Sequence, residues 1–382
     1  MKILVCPDTF KGTLTSVEVA DIISREFAQK IFTVETIPVG DGGEGTVDSI
    51  ISALKGKKVF LNVKDPLGRF IDAYYGIKDN IAFIEVAQPC GLTLLKKEEL
   101  NPLIASTYGF GQMIKDAIER KSEKIYLGLG GSATNDFGIG MLQALGVRFF
   151  DKTGEEILIR ITEGYGASVL DLVHSFDLTG LRELIKGMRF EVLCDVINPL
   201  YGLDGTSRIY SPQKGADVET SEILENNIIK FARTIRDILK IEPNFPGAGA
   251  AGGLGSALKV FLNATISPGI NGVINLLNIE EKIKNADAVI VGEGKMDFQS
   301  GFGKAPIGIA RMAKKYKKIV IAINGRTDDS AKVFIGNEID RIYSCFENEE
   351  HNIEYLKAKA SAGLKSIALL AANELSENFK TK

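Results

Sequence analysis

Histidine and cysteine are scarce in this chain. In 382 residues there are two histidines, His174 and His351, and four cysteines, Cys6, Cys90, Cys194 and Cys345. A zinc centre built on imidazoles, or a histidine-based triad, is therefore not expected, and a general base is sought among the carboxylates. The cysteines are widely spaced and form no CxxC pair. They read as reduced, mostly buried thiols of a cytoplasmic protein. An excess of one charge is also lacking. Lys+Arg number 46 against 49 Asp+Glu, a net charge of −3, which argues against a broad nucleic-acid footprint. No window approaches the ~18 apolar residues of a membrane span. The apolar start Ile3-Leu4-Val5-Cys6 stops at Pro7, too soon for a secretory signal. There is no Gly-x-x-x-x-Gly-Lys-Ser/Thr loop, no His-Arg-Asp and no Asp-Phe-Gly. Phosphoryl transfer, if present, uses a design other than the P-loop or the protein kinase.

What the chain does have is glycine beside carboxylate, three times. The stretches are Gly40-Asp41-Gly42-Gly43-Glu44-Gly45-Thr46, Gly130-Gly131-Ser132-Ala133-Thr134-Asn135-Asp136 and Gly292-Glu293-Gly294-Lys295-Met296-Asp297. Glycine lets backbone N–H groups approach an anion, but a carboxylate at the same place repels a bare phosphate. The pairing makes sense if a hard cation lies between them, or if the carboxylate takes a proton from a substrate hydroxyl. Both conditions hold where a nucleoside triphosphate donates a phosphoryl group.

Periodicity places these loops. Residues 3–6 read as a buried strand, and Thr15-Ser16-Val17-Glu18 as a capping box opening a helix to about residue 30. A second strand ends near Val39, and the first acidic loop then opens another helix. Helix 106–120, strand 124–127, the second glycine loop and a helix over 136–145 follow. Residues 199–216 read as a long loop, 219–239 as a helix, and 270–283 as one helix. Strand 286–291 feeds the third loop, and strand 319–323 and a helix over 355–375 close the chain. The fold class is α/β: a Rossmann/flavodoxin-like doubly wound domain with a second, inserted mixed α/β domain. The expected boundaries are 1–70 plus 285–382 for the first and 71–284 for the second, with the active site in the cleft between them.

The local motifs leave several chemistries open. Gly128-x-Gly130-x-x-Ala133 also fits a dinucleotide fingerprint, with Asp151 about the right distance on. Thr134-Asn135-Asp136 puts a carboxylate where a pyrophosphate would lie, and residues 149–154 look like a hairpin; both weaken that reading. Gly247-x-Gly249-x-x-Gly252 follows prolines rather than a strand and reads as a phosphate or hinge loop. Lys11 follows the first strand, where open α/β sheets bind ligands. Arg69, in the turn Asp65-Pro66-Leu67-Gly68-Arg69, has the fork to clamp a carboxylate, and Lys214 in Gln213-Lys214-Gly215 the charge to meet a phosphate. Asp297, just after a buried strand, is a magnesium candidate. Each also has a plainer reading as a turn, cap or surface residue.

Taken in order, the motifs resemble the glycerate kinases that lack a P-loop. The resemblance rests on Pro7-Asp8-Thr9-Phe10-Lys11-Gly12-Thr13-Leu14, Asp41-Gly42-Gly43-Glu44-Gly45-Thr46, Asp65-Pro66-Leu67-Gly68-Arg69 and Leu129-Gly130-Gly131-Ser132-Ala133-Thr134-Asn135-Asp136. It continues through Cys194-Asp195-Val196, Asn198-Pro199-Leu200, Pro212-Gln213-Lys214-Gly215-Ala216, the glycine run 246–255, and Gly292-Glu293-Gly294 with Asp297, Gln299-Ser300 and Gly303-Lys304. Thr9 and Thr13 replace the family's serines, and Ile323-Asn324-Gly325-Arg326 replaces a more apolar turn.

The resemblance implies ATP as co-substrate, Mg2+ as cofactor and D-glycerate as acceptor. It implies transfer to the 2-hydroxyl to give 2-phosphoglycerate, with 3-phosphoglycerate as the alternative. Partners are then small molecules, with no nucleic acid or membrane; a homodimer is left open. One carboxylate among Asp41, Asp136 and Asp195 accepts the hydroxyl proton, Asp195 being the first choice. Asn135 and Asn198 position the substrate with Ser132 and Thr134, and Arg69 or a glycine-loop N–H cluster receives its carboxylate. Glu293, Asp297 and Glu44 hold the metal. Lys11 offsets charge on the transferred group. Gly130, Gly131, Lys214, Gly249, Gly252, Gly253 and Lys304 meet the nucleotide phosphates. An NAD-dependent dehydrogenase and a non-catalytic sensor of anionic metabolites are the rival classes.

Overall fold

The computed structural model describes residues 1–40, 43, 45–158, 166–267, 269–301, 304–346 and 352–380. Along the chain the strands are β1 (Lys2–Pro7), β2 (Thr33–Thr36), β3 (Lys57–Lys64), β4 (Phe70–Lys78), β5 (Ile81–Glu85), β6 (Lys124–Gly128) and β7 (Arg148–Phe150). They continue with β8 (Ser175–Asp177), β9 (Arg189–Leu193), β10 (Thr265–Ser267), β11 (Ala288–Gly292), β12 (Lys295–Met296), β13 (Ile319–Thr327) and β14 (Arg341–Phe346). The chain divides into two compact units, Met1–Asp41 with Asp48–Gly56 and Ile270–Lys382, and Gly42–Val47 with Lys57–Gly269.

The first unit is a parallel sheet in which β2, β1, β11 and β13 lie in that order, with both β12 and β14 pairing β13. Counting only this unit's main strands, the order is 2-1-3-4-5, the flavodoxin-like doubly wound arrangement. Residues 3–6 of β1, 288–291 of β11 and 320–323 of β13 are apolar and buried because both faces are covered there. Ile3, Val5, Ile290, Ile321 and Ile323 share one core with Val19, Ile23, Phe27, Leu364, Ala368 and Ala372 of the helices Ser16–Ala28 and Ile353–Lys380. The alternate residues Leu4, Val289, Val291, Val320 and Ala322 are also fully buried. The helix Ser16–Ala28 starts where the sequence signals it. Thr15 Oγ1 accepts from the Glu18 N–H at 3.2 Å and Glu18 returns the bond to the Thr15 N–H at 2.8 Å, a reciprocal cap.

The second unit holds a mixed sheet in the order β10-β9-β6-β5-β4-β3, parallel from β10 to β5 and antiparallel from β5 to β3. Phe110 and Met113 of the helix Tyr108–Glu119 pack in its core with Phe231 of the helix Val218–Leu239 and Leu254 and Leu258 of the helix Ala250–Leu262. Phe137 meets Phe231 edge-on with ring centroids 4.9 Å apart. β7 and β8 form a separate antiparallel pair.

Some details differ from the sequence reading. The boundaries fall after Gly56 and Gly269 rather than after residues 70 and 284, because β3 pairs with β4 along its whole length. The helix expected over 270–283 is two, Gly269–Leu276 and Ile279–Lys284, since Asn278 adopts a left-handed φ of 52°. The stretch 199–216, read as loop, contains the short helix Thr206–Tyr210. No helix among the described residues is long and apolar enough to cross a membrane. Cys6 and Cys90 are buried free thiols, while Cys194 and Cys345 are partly exposed; burial pushes all four thiols up, away from the reactive thiolate.

Candidate functional site

In the first unit, the chain order reverses between β1 and β11, where a doubly wound sheet leaves a crevice beyond the carboxyl ends of its strands. Two loops leave the sheet there. The Asp8 N–H donates to the Gly292 carbonyl at 2.8 Å. A Cβ on Gly294 would stand 3.0 Å from the Lys11 nitrogen, so Gly294 is small because the Phe10-Lys11 backbone runs against it. The Lys11 backbone thus lies beside Gly294, the residue after Glu293.

Glu293 is 5% exposed. Its Oε2 accepts from Lys304 Nζ at 2.7 Å, while Oε1 is buried without a close hydrogen bond among the described residues. The Glu293 N–H is received by Asn324 Oδ1 at 3.2 Å. Burial raises the Glu293 carboxyl above its ordinary range; Lys304 and Ser300 pull it down and the Asp297 charge pushes it up again. Asp297 is half-buried, and its Oδ1 accepts from the Gln299 N–H at 3.0 Å. Lys304 stands immediately before the helix Ala305–Lys315. Among the described residues no three His, Cys, Asp or Glu side chains group closely enough to cage a metal alone. The pair Glu293 and Asp297, one with an oxygen to spare, suits Mg2+, which binds through one or two carboxylates and keeps water and phosphate for the rest of its shell.

In the second unit, β6 runs into Gly130 and Gly131, the latter at φ 79°. Ser132, Thr134, Asn135 and Asp136 follow, all buried. Asp136 is committed to the fold. Its Oδ2 accepts from Thr107 N at 2.9 Å, Thr107 Oγ1 at 2.8 Å and Gly140 N at 3.3 Å, and its Oδ1 from Gly138 N at 3.1 Å. The carboxylate thus opens the helix Ile139–Ala144, three residues later than the sequence suggested. Burial raises its pKa and the four donors oppose the rise.

Lys214 is 2% exposed. Its Nζ donates to the Thr134 carbonyl at 2.6 Å and to Ser132 Oγ at 3.2 Å. Burial pulls its pKa down to about 7, against the pull of Asp136. On the other side of the loop lies the left-handed turn Ala251, Gly252 and Gly253, with φ values of 49°, 73° and 97°. A Cβ on Gly252 would lie 2.2 Å from the Thr134 carbonyl oxygen, and one on Gly253 2.9 Å from Phe137 Cα. These glycines are required by backbone packing on the 130–137 loop, a role their phosphate-loop appearance in the sequence did not reveal.

Among the remaining described candidates, Asn198, Asp195 and Arg69 bond to neighbours of their own. Asn198 is spent on its own loop, its Oδ1 accepting from Tyr210 OH at 2.6 Å and its Nδ2 donating to the Asp204 carbonyl at 2.9 Å. Gly249 donates to the Asn198 carbonyl at 3.0 Å, and a Cβ there would meet the Pro199 oxygen at 2.3 Å. Asp195 is exposed and accepts from the Gly269 N–H at 2.7 Å. Arg69 holds Asp65 through Nε at 2.5 Å and Glu99 through Nη1 at 2.6 Å. Asp41 and Glu44 lie outside the described residues. Asp151 sits in a hairpin turn, its Oδ1 accepting from the Thr153 N–H at 2.8 Å and hydroxyl at 2.6 Å.

Several residues escaped the sequence reading. Glu85 ends β5 fully buried and accepts from the N–H groups of Gly45, at 3.1 Å, and Val47; a carboxylate closing an apolar strand was the available signal. Asn324 was noted only as part of a departing turn. Thr206 and Ser207, buried beside Asn135, lay in a stretch read as loop.

Comparison with known proteins places this geometry. The model of the glycerate kinase family matches residues 3–375. A glycerate 2-kinase of Escherichia coli K12 is 42% identical over 349 residues, covering 90% of each chain. A glycerate kinase of Halalkalibacterium halodurans is 43% identical over 347 residues, again covering 90% of each. Among solved structures, a proposed glycerate kinase 2 from Salmonella typhimurium LT2 superposes with a TM-score of 0.87 at 36% identity, covering 100% of this chain and 99% of that one.

Proposed function

Since the chain belongs to the glycerate kinase family, we propose that this kinase transfers the terminal phosphoryl group of ATP to the 2-hydroxyl of D-glycerate. The observation that supports the reading is the pair of loops at the β1/β11 switch point, where the Phe10-Lys11 backbone runs against Gly294 and Lys304 Nζ lies 2.7 Å from Glu293. A lysine beside two carboxylates is what a magnesium–polyphosphate group asks for.

In this reading Glu293 and Asp297 hold Mg2+. When bound, the metal neutralises charge on the phosphates of ATP. Lys304 favours the ionised form of the buried Glu293 through its 2.7 Å bond, against the effect of burial, and Lys11 offsets charge on the group in transfer. Asp195 takes the hydroxyl proton. It is an exposed carboxylate that accepts from the Gly269 N–H, whereas Asp136 is fully buried with its oxygens filled by four donors. The second unit contributes acceptor recognition through the 130–136 loop, which Lys214 and Gly252 fix from two sides. Positioning and charge supply most of the rate in such a transfer.

The test is direct. The full chain is incubated with Mg-ATP and D-glycerate and the product followed by phosphorus NMR. A secondary phosphate ester is the expected result. A primary ester keeps the kinase and moves transfer to the 3-hydroxyl. Intact ATP and no ester would sink the proposal.

A further inference from the structure

Three side-chain oxygens in the second unit are buried without a hydrogen-bond partner among the described residues: Thr134 Oγ1, Asn135 Oδ1 and Thr206 Oγ1. Their residues are all 0% exposed. Buried polar groups are almost always paired, and each that is not costs about 1–3 kcal/mol. Among the described residues, oxygens of Ser122, Glu225 and Glu293 lie likewise but singly elsewhere, whereas these three belong to two adjoining segments. Asn135 Nδ2 bonds Ser207 Oγ at 3.2 Å, which sets the carboxamide against the residue that follows Thr206. The Ser207 carbonyl is in turn held by Ser221 Oγ at 2.8 Å.

The chemistry of the three oxygens narrows what they await. Asn135 Oδ1 only accepts, so it requires a donor and repels carboxylate and phosphate. Thr134 and Thr206 each offer a hydroxyl that can donate or accept. A cation would meet Lys214, whose Nζ lies on the same loop. A neutral hydroxyl satisfies all of this, donating to Asn135 and accepting from a threonine. We propose that Thr134, Asn135 and Thr206 form the subsite for the hydroxyl of the acceptor that is not phosphorylated, so that the enzyme selects a small acid bearing two hydroxyls over one bearing a single hydroxyl. This rests on the glycerate kinase reading above and adds Thr206 to it. Occupation requires the covering chain to give way, and the turn Ala251–Gly253 is the segment packed directly on Thr134 and Asn135. A site built to bond a hydroxyl rejects an analogue lacking it more strongly than an apolar pocket rejects a missing methylene, because its polar groups are left unpaired.

Calorimetric titration of the full chain with D-glycerate, D-lactate and 3-hydroxypropanoate tests the subsite, the last two each lacking one hydroxyl. The position of the ester in the NMR experiment tells which analogue lacks the unreacting hydroxyl. Thr206→Val is expected to weaken D-glycerate roughly tenfold while moving that analogue by less than about threefold. Thr206→Ser, which keeps a hydroxyl, is expected to restore most of the loss. Equal weakening of all three ligands, or none, overturns the subsite while the kinase reading stands. A wild-type chain that neither binds nor phosphorylates D-glycerate removes the kinase reading, and the subsite with it. A melting transition for Thr206→Val matching wild type excludes misfolding, and the serine variant carries the test if valine unfolds the unit.

Discussion

The loop 130–136 of the second unit and the loop 292–297 of the first look alike as sequence: glycines after a buried strand, then an acid. In the structure they use that acid in opposite ways. Asp136 is sealed among four donors from its own unit. Glu293 has one oxygen on a half-exposed lysine and the other without a close partner among the described residues. The first carboxylate organises backbone, and the second makes fewer bonds to its own unit among the described residues. The deciding factor is a donor far away in the sequence. Thr107 supplies two of the four bonds to Asp136 from 29 positions earlier, whereas Lys304 and Ser300, which act on Glu293, follow it within 11 positions.

The contrast predicts different failures when the acids are removed. Asp136→Ala strands the N–H groups of Thr107, Gly138 and Gly140 in a dry interior. A loss of about 3 kcal/mol or more is expected, read as a shift in the denaturant midpoint of the second unit. A variant as stable as wild type would show that Asp136 does not organise this loop, and the comparison would collapse.

Gly252→Ala attacks the same loop from its other side. The residue has φ 73°, and an added Cβ would overlap the Thr134 carbonyl oxygen at 2.2 Å. Left-handed backbone and forced repacking together cost about 2–3 kcal/mol. Gly187→Ala is the control, with a similar φ of 80° but nothing within 4 Å; it should lose only the backbone part. Equal losses in the two variants would mean that the contact with Thr134 carries no weight.

These two cases also show what the sequence could and could not disclose. Runs such as 286–291 were legible as buried strands, and with them the α/β class and the places where loops leave the sheet. The capping box at Thr15 was legible because its two bonds span three residues. The break at Asn278 was not, because an asparagine in left-handed backbone leaves no periodic trace. The role of Gly252 was hidden for a different reason. A glycine that admits a phosphate and one that admits another backbone are the same letter. Arg69 was legible as a forked cation, but not that Asp65 and Glu99 already hold it.

Lys214 sharpens the comparison through pH. Its pKa falls from 10.5 to about 7 in the folded chain because of burial. Between these values the unfolded chain holds a proton that the folded chain has released, so this group makes stability rise with pH. Its slope approaches about 1.4 kcal/mol per pH unit at most. Below pH 7 both states are protonated and the slope vanishes. Denaturation of wild type and Lys214→Met at several pH values should therefore give a difference that grows from pH 7 towards 10. A constant difference would mean that Lys214 is not desolvated as the buried geometry implies.

Glu293→Gln should have the smallest effect on folding and the clearest effect on turnover. Glutamine keeps an oxygen for Lys304, whose side chain is 39% exposed, and solvent screens that pair, so a change within about 1 kcal/mol is expected. The sign also depends on pH. The folded-state pKa of Glu293 is raised, so wild-type stability from this group is lost as pH climbs from the unfolded carboxylate range through the raised folded value. The amide removes that loss. At neutral pH the variant should thus be as stable as wild type or slightly more so. Its kcat should nonetheless fall by roughly a hundredfold or more, since charge stabilisation of the transferred group is commonly of that size, and raising Mg2+ should recover part of the loss. Such a protein, intact in fold and poor in turnover, would be the counterpart of Asp136→Ala. Were Glu293→Gln to unfold instead, its carboxylate would belong with Asp136 among the acids that build the backbone, and Asp297 alone would remain as the first unit's candidate for the metal.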